Sequence, residues 1–483
     1  MAILFRIRFI LIITWIMVTI NFHSAGQVST TLYHMYGIPQ ANHLNPAFQP
    51  ECNTFLGLPM LSPLSINVES NPLRYKDIFS YDSQLDAMIT FMHQNADKKS
   101  FLDRLKPVNN INSNVGTNPL STGWRNGQFY FTVDLTEKID QNFRFTEDFM
   151  EFALNGNRNR ERFNFSETGI DLTYYREFAV GISFNYEDEF QIGARAKVLF
   201  GLANLTTRLS DITLKASEDK WEVNSSMVLD VTGPFLYIPI DSAGYVILDS
   251  AGIDPSFEED AFAWLLDNVS TILGTGNPGL ALDFGFCFSP VENLSLSASV
   301  NDLGFIRWKN DAYHLEQDGS LEWQGIEVKL DDDRDYGEMF LDSVKNQVNF
   351  TSVGEPYSTF LAGKVYLGAA YEINEMVKFG LVNKTRIYHA QLFNQLTLSA
   401  NVRPISMFSA TLSYSIIGTN YSNFGLGLAL RAGPFSMYFI TDQAPGGYLW
   451  PETINSFNFR FGLNLVFGCA KIPRKLRDMP LID

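Results

Sequence analysis

The last strand-like segment of the chain limits its fold more than any other feature. From Ser456 to Phe467, the residues Phe457, Phe459, Phe461, Leu463, Leu465 and Phe467 alternate with Asn458, Arg460, Gly462, Asn464 and Val466. Side chains in a strand point to opposite faces in turn, so one face here is apolar and the other polar or small. Phe190 to Ala203 repeats the pattern, with Gln191, Gly193, Arg195, Lys197 and Gly201 opposing the apolar row. The same period runs through 364–371, 377–386, 396–403, 411–416 and 424–431. These lengths are close to the roughly 9 to 11 residues that a tilted strand needs to cross a bilayer. A soluble sandwich would show the same period with its apolar faces turned to a shared core. The connections argue against it. Tight turns at Ile373-Asn374-Glu375, Arg403-Pro404-Ile405 and Ala432-Gly433-Pro434 alternate with longer links at Ile387 to Gln391, Gly418 to Ser422, Thr441 to Ile454 and Gly304 to Ala362. Short turns on one side and longer loops on the other belong to outer-membrane barrels. The expected fold is therefore all-β, a transmembrane antiparallel β-barrel of about 14 strands within a range of roughly 12 to 16.

Counted backwards, the same parity puts Glu187-Asp188-Glu189, Ser217 to Lys220, Ser289 to Glu292 and the stretch Thr146 to Leu154 on the periplasmic side. Two segments have helical apolar spacing and fall in outer loops, where they would cover the aperture. They are Gln84 to Leu105, with Leu85, Met88, Ile89 and Met92, and Phe257 to Leu273, with Phe262, Leu265, Leu266 and Val269.

At the N-terminus, Arg6 and Arg8 precede an apolar run from Phe9 to Ile20, and Ser24-Ala25-Gly26 follows it. This is the pattern of a secretory signal peptide over residues 1–26, and it implies export across the inner membrane to the outer membrane. A barrel would then occupy 52–467, leaving 468–483 as a periplasmic tail that carries Lys471, Arg474, Lys475 and Arg477. Lys and Arg total 36 against 53 Asp and Glu, a formal charge of −17, which makes nucleic acid an unsuitable partner. Mean hydropathy of −0.04 is too low for a bundle of membrane-spanning helices. The 40 Phe, 20 Tyr and 7 Trp suit instead a β-structure with much apolar surface. Outer-membrane lipid is the expected surrounding.

Cys52, Cys287 and Cys469 are too few and odd in number to read as a disulfide framework, and at least one must be free. His34, His43, His93, His314 and His389 have neither metal-ligand spacing nor a local Ser-His-Asp signature. No phosphate-binding loop, dinucleotide fingerprint or nucleophile elbow is present. The run Asp331-Asp332-Asp333 with Asp335 lacks EF-hand spacing and reads as a solvated loop. No enzymatic activity, cofactor or metal is expected.

Ahead of the first strand lies Leu32 to Pro50, LYHMYGIPQANHLNPAFQP, which is rich in turn formers and contains Asn45-Pro46-Ala47. This segment resembles the N-terminal hatch of the long-chain fatty-acid transporter (FadL-type) barrels. Gly279 to Gly285 (GLALDFG) and Leu294 to Trp308 (LSLSASVNDLGFIRW) are similar to a Bacteroidota outer-membrane family of unknown function related to those barrels and to PorV. The resemblance implies a fourteen-stranded barrel with residues 27–51 folded into the lumen as a plug. In FadL-type proteins a hydrophobic substrate passes the hatch and leaves through a lateral gap. In PorV-type proteins the barrel is a partner in type IX secretion. The chain departs from the usual barrel ending, because Phe467 is followed by sixteen further residues.

Two functions are consistent with these residues. One is a conduit or binding barrel for a hydrophobic or amphipathic molecule, with Asn45, Pro46 and Ala47 gating. Its lumen contacts would come from Arg195, Lys197, Lys384, Arg386 and Arg460, among inward cations that also include Lys378, Arg403 and Arg431. Acidic groups of the plug or of neighbouring strands are expected to neutralise most of these cations, and any left over would favour an anionic head group such as a carboxylate. The other function is a docking platform for secretion-system proteins, with contacts made by the outer loops.

Overall fold

The computed structural model describes residues 30–469 except 72, 159, 187–188, 218–219, 235, 261–262, 265–266, 268–274, 324–348, 389–390, 418–419 and 444–455. The signal-peptide pattern, the basic tail, the apolar positions Phe262, Leu265, Leu266 and Val269, and the acidic run at 331–335 lie outside the described residues.

In chain order, the short strands β1 (Cys52–Gly57) and β2 (Leu64–Ser70) are followed by a small hairpin, β3 (Phe79–Asp82) and β4 (Ala87–Thr90). The long pair β5 (Val108–Asn126) and β6 (Phe129–Thr146) leads through β7 (Arg162–Asn164) to β8 (Gly169–Tyr186) and the 27-residue β9 (Phe190–Ala216). Next come β10 (Trp221–Thr232), β11 (Leu236–Tyr237) and β12 (Gly252–Ile253), then β13 (Pro278–Val291) and β14 (Leu294–Trp308). They are followed by β15 (Ala312–Trp323), β16 (Thr351–Val353), β17 (Tyr357–Phe360), β18 (Gly363–Asn374) and β19 (Val377–Tyr388). The chain closes with β20 (Gln391–Ile405), β21 (Phe408–Ile417), β22 (Asn420–Ala432), β23 (Phe435–Thr441) and β24 (Ser456–Cys469).

Antiparallel pairing runs β5, β6, β8, β9, β13, β14, β18, β19, β20, β21, β22, β23, β24, and β1 and β2 together close the ring. Each of these two pairs with β24 on one side and β5 on the other, so they share one wall position. The wall therefore has fourteen strands. Every hairpin at one rim is tight. In the first, the turn after Asn126 needs a left-handed residue, supplied by Gly127 at φ 60°. By the loop-length rule this rim is periplasmic. The seam between the first and last strands carries a disulfide, Cys52–Cys469, in register across β1 and β24, and leaves Cys287 free.

Burial shows which way the wall faces. Along β13, Leu280 and Leu282 are 60% and 47% exposed, whereas the intervening Ala281 and Asp283 are 2% and 0% exposed. Buried Asn, Ser and Thr residues in β20, β21 and β24 face inward in the same way. A greasy exterior around a polar interior is stable only where the surrounding solvent is lipid.

The wall has two irregular places. Beyond Asn204, β9 leaves β13 and pairs with β10, which pairs with β15, forming an arm that rises from the outer rim. Between β14 and β18 the ladder runs to Asn301↔Lys364 and resumes with β17 at Phe305↔Phe360. Residues 302–304 face 361–363 across this break, spanned by one bond from the Leu361 amide to the Gly304 carbonyl, 3.0 Å. Asp302 lies there at φ 59°.

Several expectations are corrected. Gln84 to Leu105 is not one helix: it holds β4 and a short helix, Lys98–Leu102, and only Ile89 of the four spaced apolar residues is buried. The expected helical stretch Phe257 to Leu273 falls largely outside the described residues, and its first three residues end a helix, Pro255–Glu259. Thr146 to Leu154 does form a helix, Glu147–Asn155, but at the outer rim, and 217–220 is also an outer connection. Both lie at the outer rim because β8 and β9 each run as a single strand of 18 and 27 residues. The link 304–362 holds β15, β16 and β17 and is not a plain loop.

Candidate functional site

Residues 30–50 lie inside the ring, almost all buried, with short 3-10 turns at Thr31–His34 and Pro39–His43. No acid occurs in this stretch, so polar contacts to the wall fix it. Thr30 shares a hydroxyl bond with Thr397 (2.7 Å), and the Thr31 hydroxyl donates to Asp442. Gln40 Nε2 donates to Asn464 Oδ1 (2.6 Å), and Ser299 Oγ donates to the Leu44 carbonyl (2.6 Å). Tyr33 stacks on Tyr366, with ring centres 5.6 Å apart. Burial pushes the His34 imidazole down to about 3, so it is neutral. Burial lowers the His43 pKa as well, against the opposing pull of Asp134, which its Nε2 contacts at 3.2 Å.

Asn45, Pro46 and Ala47 form the tightest part of this segment. Asn45 Oδ1 accepts from the Ala47 amide (3.0 Å), while its Nδ2 donates to Tyr33 Oη (3.2 Å) and to the carbonyls of Phe286 (3.3 Å) and Ala298 (3.4 Å). The wall admits the turn through two register partners, Gly193 of β9 and Gly285 of β13. A Cβ at Gly193 would lie 2.1 Å from the Pro46 carbonyl oxygen, and one at Gly285 2.2 Å from Asn45 Oδ1.

On the outer side of this segment lies an ionic layer. Lys197 Nζ reaches Asp283 (2.7 Å) and Asp302 (2.6 Å), and Lys364 also reaches Asp302 (2.5 Å). Lys138 pairs with Glu177 (2.6 Å) and Arg195 with Asp134 (2.7 Å). Four cations thus meet four carboxylates, and neighbouring strands, not the N-terminal segment, supply every acid. Lys384 is fully buried and engaged, and Lys378 and Arg403 lie over the Tyr36 ring, with Arg403 also bridged to Glu51.

Arg386 and Arg460 behave differently. Both line one cavity of about 170 Å³ whose floor is His43 and Leu44. Among the described residues neither has a carboxylate at ion-pair distance. Arg386 is 8% exposed and lies over the Tyr388 ring at 5.1 Å. Nε and Nη1 of Arg460 are buried without a hydrogen-bond partner. A second cavity of about 730 Å³ adjoins, also bounded by Arg386, with Tyr175, Tyr388 and the break residues Leu303, Phe360 and Leu361 in its lining.

The structure brings Arg195, Lys197, Arg386 and Arg460, read from the sequence as lumen-facing, to the first cavity. Sequence reading missed the acids Asp134, Glu177, Asp283 and Asp302 and the receiving glycines. Alternation across Phe131, Val133 and Leu135 would have shown Asp134 facing inward, because Thr132, Asp134 and Thr136 form the opposite, buried row.

Among solved structures, the toluene transporter TbuX of Ralstonia pickettii is similar over 90% of this chain and 95% of its own, at 8% identity and a TM-score of 0.42. The toluene transporter TodX of Pseudomonas putida is similar over 92% and 97%, at 11% identity and a TM-score of 0.37. A FadL homologue of Pseudomonas aeruginosa is similar over 93% and 100%, at 10% identity and a TM-score of 0.37. Likenesses this distant transfer no role to the chain. No curated protein matches it. The model of one family covers residues 46–442, from the Asn45-Pro46-Ala47 turn to the end of the inward-facing row that holds Asp442, and the chain belongs to that family, DUF5723, whose function is unknown.

Proposed function

We propose that this protein is an outer-membrane barrel that binds or passes a hydrophobic or amphipathic small molecule, with residues 30–50 as the plug that gates it. One observation carries the reading. The segment is seated on glycines of the wall, and on its outer side a cavity of mixed polar, charged and aromatic lining extends to the break between β14 and β18. Displacing the plug leaves the ion pairs of the ionic layer intact, because both partners of each pair belong to the wall. The break offers a path from the cavity toward lipid, since Leu303 and Phe360 are exposed there.

Native mass spectrometry of the protein extracted from its own outer membrane tests this. A bound small molecule, lost when Asn45 and Pro46 are replaced by Ala, is the expected result. An empty lumen with stoichiometric secretion-machinery proteins would refute the conduit and make the barrel a docking platform.

A further inference from the structure

We infer that Cys52–Cys469 is a thiol–disulfide exchange site at the periplasmic rim, reached by a dithiol partner through Cys469 and arranged so that Cys52 leaves. The two sulfurs are not equivalent. Cys52 is 4% exposed and packs with Phe55, Tyr130 and Val466, whereas Cys469 lies at the edge of that cluster, partly exposed, where β24 ends. Charge is placed at the buried sulfur. Nη1 of Arg431, in β22, lies 3.8 Å from Cys52 Sγ, and among the described residues no carboxylate stands at ion-pair distance from that guanidinium.

These placements give the exchange a direction. A thiolate attacks the sulfur it can reach, so the partner's sulfur bonds to Cys469 Sγ as the S–S bond breaks. Cys52 departs as a thiolate whose negative charge faces Arg431, and the better-stabilised sulfur is the better leaving group. The partner's second thiol then displaces Cys469 from the mixed disulfide. Two electrons pass to the chain: the dithiol becomes a disulfide, and the two protons it gives up end on Cys52 and Cys469. With an oxidised partner, the same steps run in reverse and close the bond. A protein carrying two neighbouring thiols fits this chemistry.

The position gives the exchange a consequence, and this part alone rests on reading residues 30–50 as a plug. Cys52 is where that segment becomes wall. Its root is held by the disulfide, by Glu51 to Arg403, and by Arg125, which donates to Gln49 Oε1 (2.5 Å) and to the Pro50 carbonyl (2.7 Å). Only the first tie is covalent. Opening it leaves the root on side-chain contacts.

The test treats the folded full chain, in neutral detergent, with reduced glutathione, quenches with acid and locates the adduct by peptide mass spectrometry. Glutathione is expected on Cys469, with Cys52 as a free thiol. Arg431→Gln should slow opening by roughly 3- to 10-fold, and Arg431→Lys should keep the wild-type rate. The adduct position is read on the wild type and needs no variant to fold. An adduct on Cys52, or a bond that glutathione leaves intact until the barrel unfolds, overturns the site and makes the disulfide a structural staple. An unchanged rate in Arg431→Gln overturns the part given to Arg431. Chymotrypsin, for which Phe48 is a target, reads the consequence: cleavage within residues 30–50 should quicken severalfold once dithiothreitol has opened the wild-type bond, and equally in Cys469→Ser without reductant. Unchanged cleavage in both would overturn the link to the plug while the exchange site stands.

Discussion

Replacing Gly193 by Ala is expected to unseat the N-terminal segment while leaving the wall closed. The new Cβ would lie 2.1 Å from the Pro46 oxygen, 2.3 Å from its carbonyl carbon and 2.6 Å from the Ala47 nitrogen, all backbone atoms of the buried turn. Relief needs a displacement of roughly 1 Å or more, which wall strands locked into ladders on both sides cannot provide. The turn must move, and its bonds to the wall go with it: Asn45 Nδ2 to the Phe286 and Ala298 carbonyls, and the Leu44 carbonyl to Ser299 and Asn301. At about 0.5–1.5 kcal/mol net for each bond, the four amount to about 2–6 kcal/mol. The lower end alone shifts the docking equilibrium by roughly 30-fold. Planar-bilayer conductance together with proteolysis of residues 30–50 reads the change. Gly319→Ala is the control, because its nearest atom, Gln317 Nε2, is 3.7 Å from the added carbon. A Gly193→Ala protein as closed and as protease-resistant as the wild type would refute the reasoning.

Two further outcomes follow from the charges. Lys197→Met strands Asp283, buried at 2.7 Å from the ammonium, while Asp302 keeps Lys364 at 2.5 Å, and the change should destabilise the barrel by about 3–5 kcal/mol. Heat-modified gel migration would show this as a lower unfolding temperature, and an unchanged temperature would count against the ionic layer. In the outer arm, His314 bonds Asp230 (2.6 Å) and Glu316 (3.1 Å), and the Asp230 hydrogen bond raises its pKa above the usual 6.5. A pKa raised on folding stabilises fully below the unfolded value, and the gain is lost as pH climbs through the folded one. Hydrogen-exchange protection across β10 and β15, corrected for the intrinsic base catalysis of exchange, should therefore fall as pH rises above 6.5, and His314→Gln should flatten the change. The same pH response in that variant would exclude His314 as its source.

Much of the architecture was legible because a wall strand obeys a local rule. Its side chains alternate between lipid and lumen whatever its neighbours are, so Phe457 to Phe467 and Phe190 to Ala203 each show their two faces unaided. Rim assignment failed where the rule is silent on length. β9 runs 27 residues, well past any bilayer, and the alternation does not mark where the membrane ends. The loop segment Gln84 to Leu105 misled for a related reason: short apolar spacings fit both a helix and a hairpin, and packing chose the hairpin β3–β4.

The candidate site was legible only as a set of types. The amino-acid sequence by itself determined a closed barrel with a greasy outside, a charged inside and an N-terminal stretch too rich in turn formers to be wall, since these depend on periodicity and composition. Which cations are spent and which are free was decided by the tertiary structure alone. Lys197 meets Asp283 and Asp302 across 86 and 105 positions of chain, whereas Arg460 and Arg386 meet no acid among the described residues. Strand pairing and register set those distances, and pairing between remote segments is a property of the closed ring that no local pattern encodes.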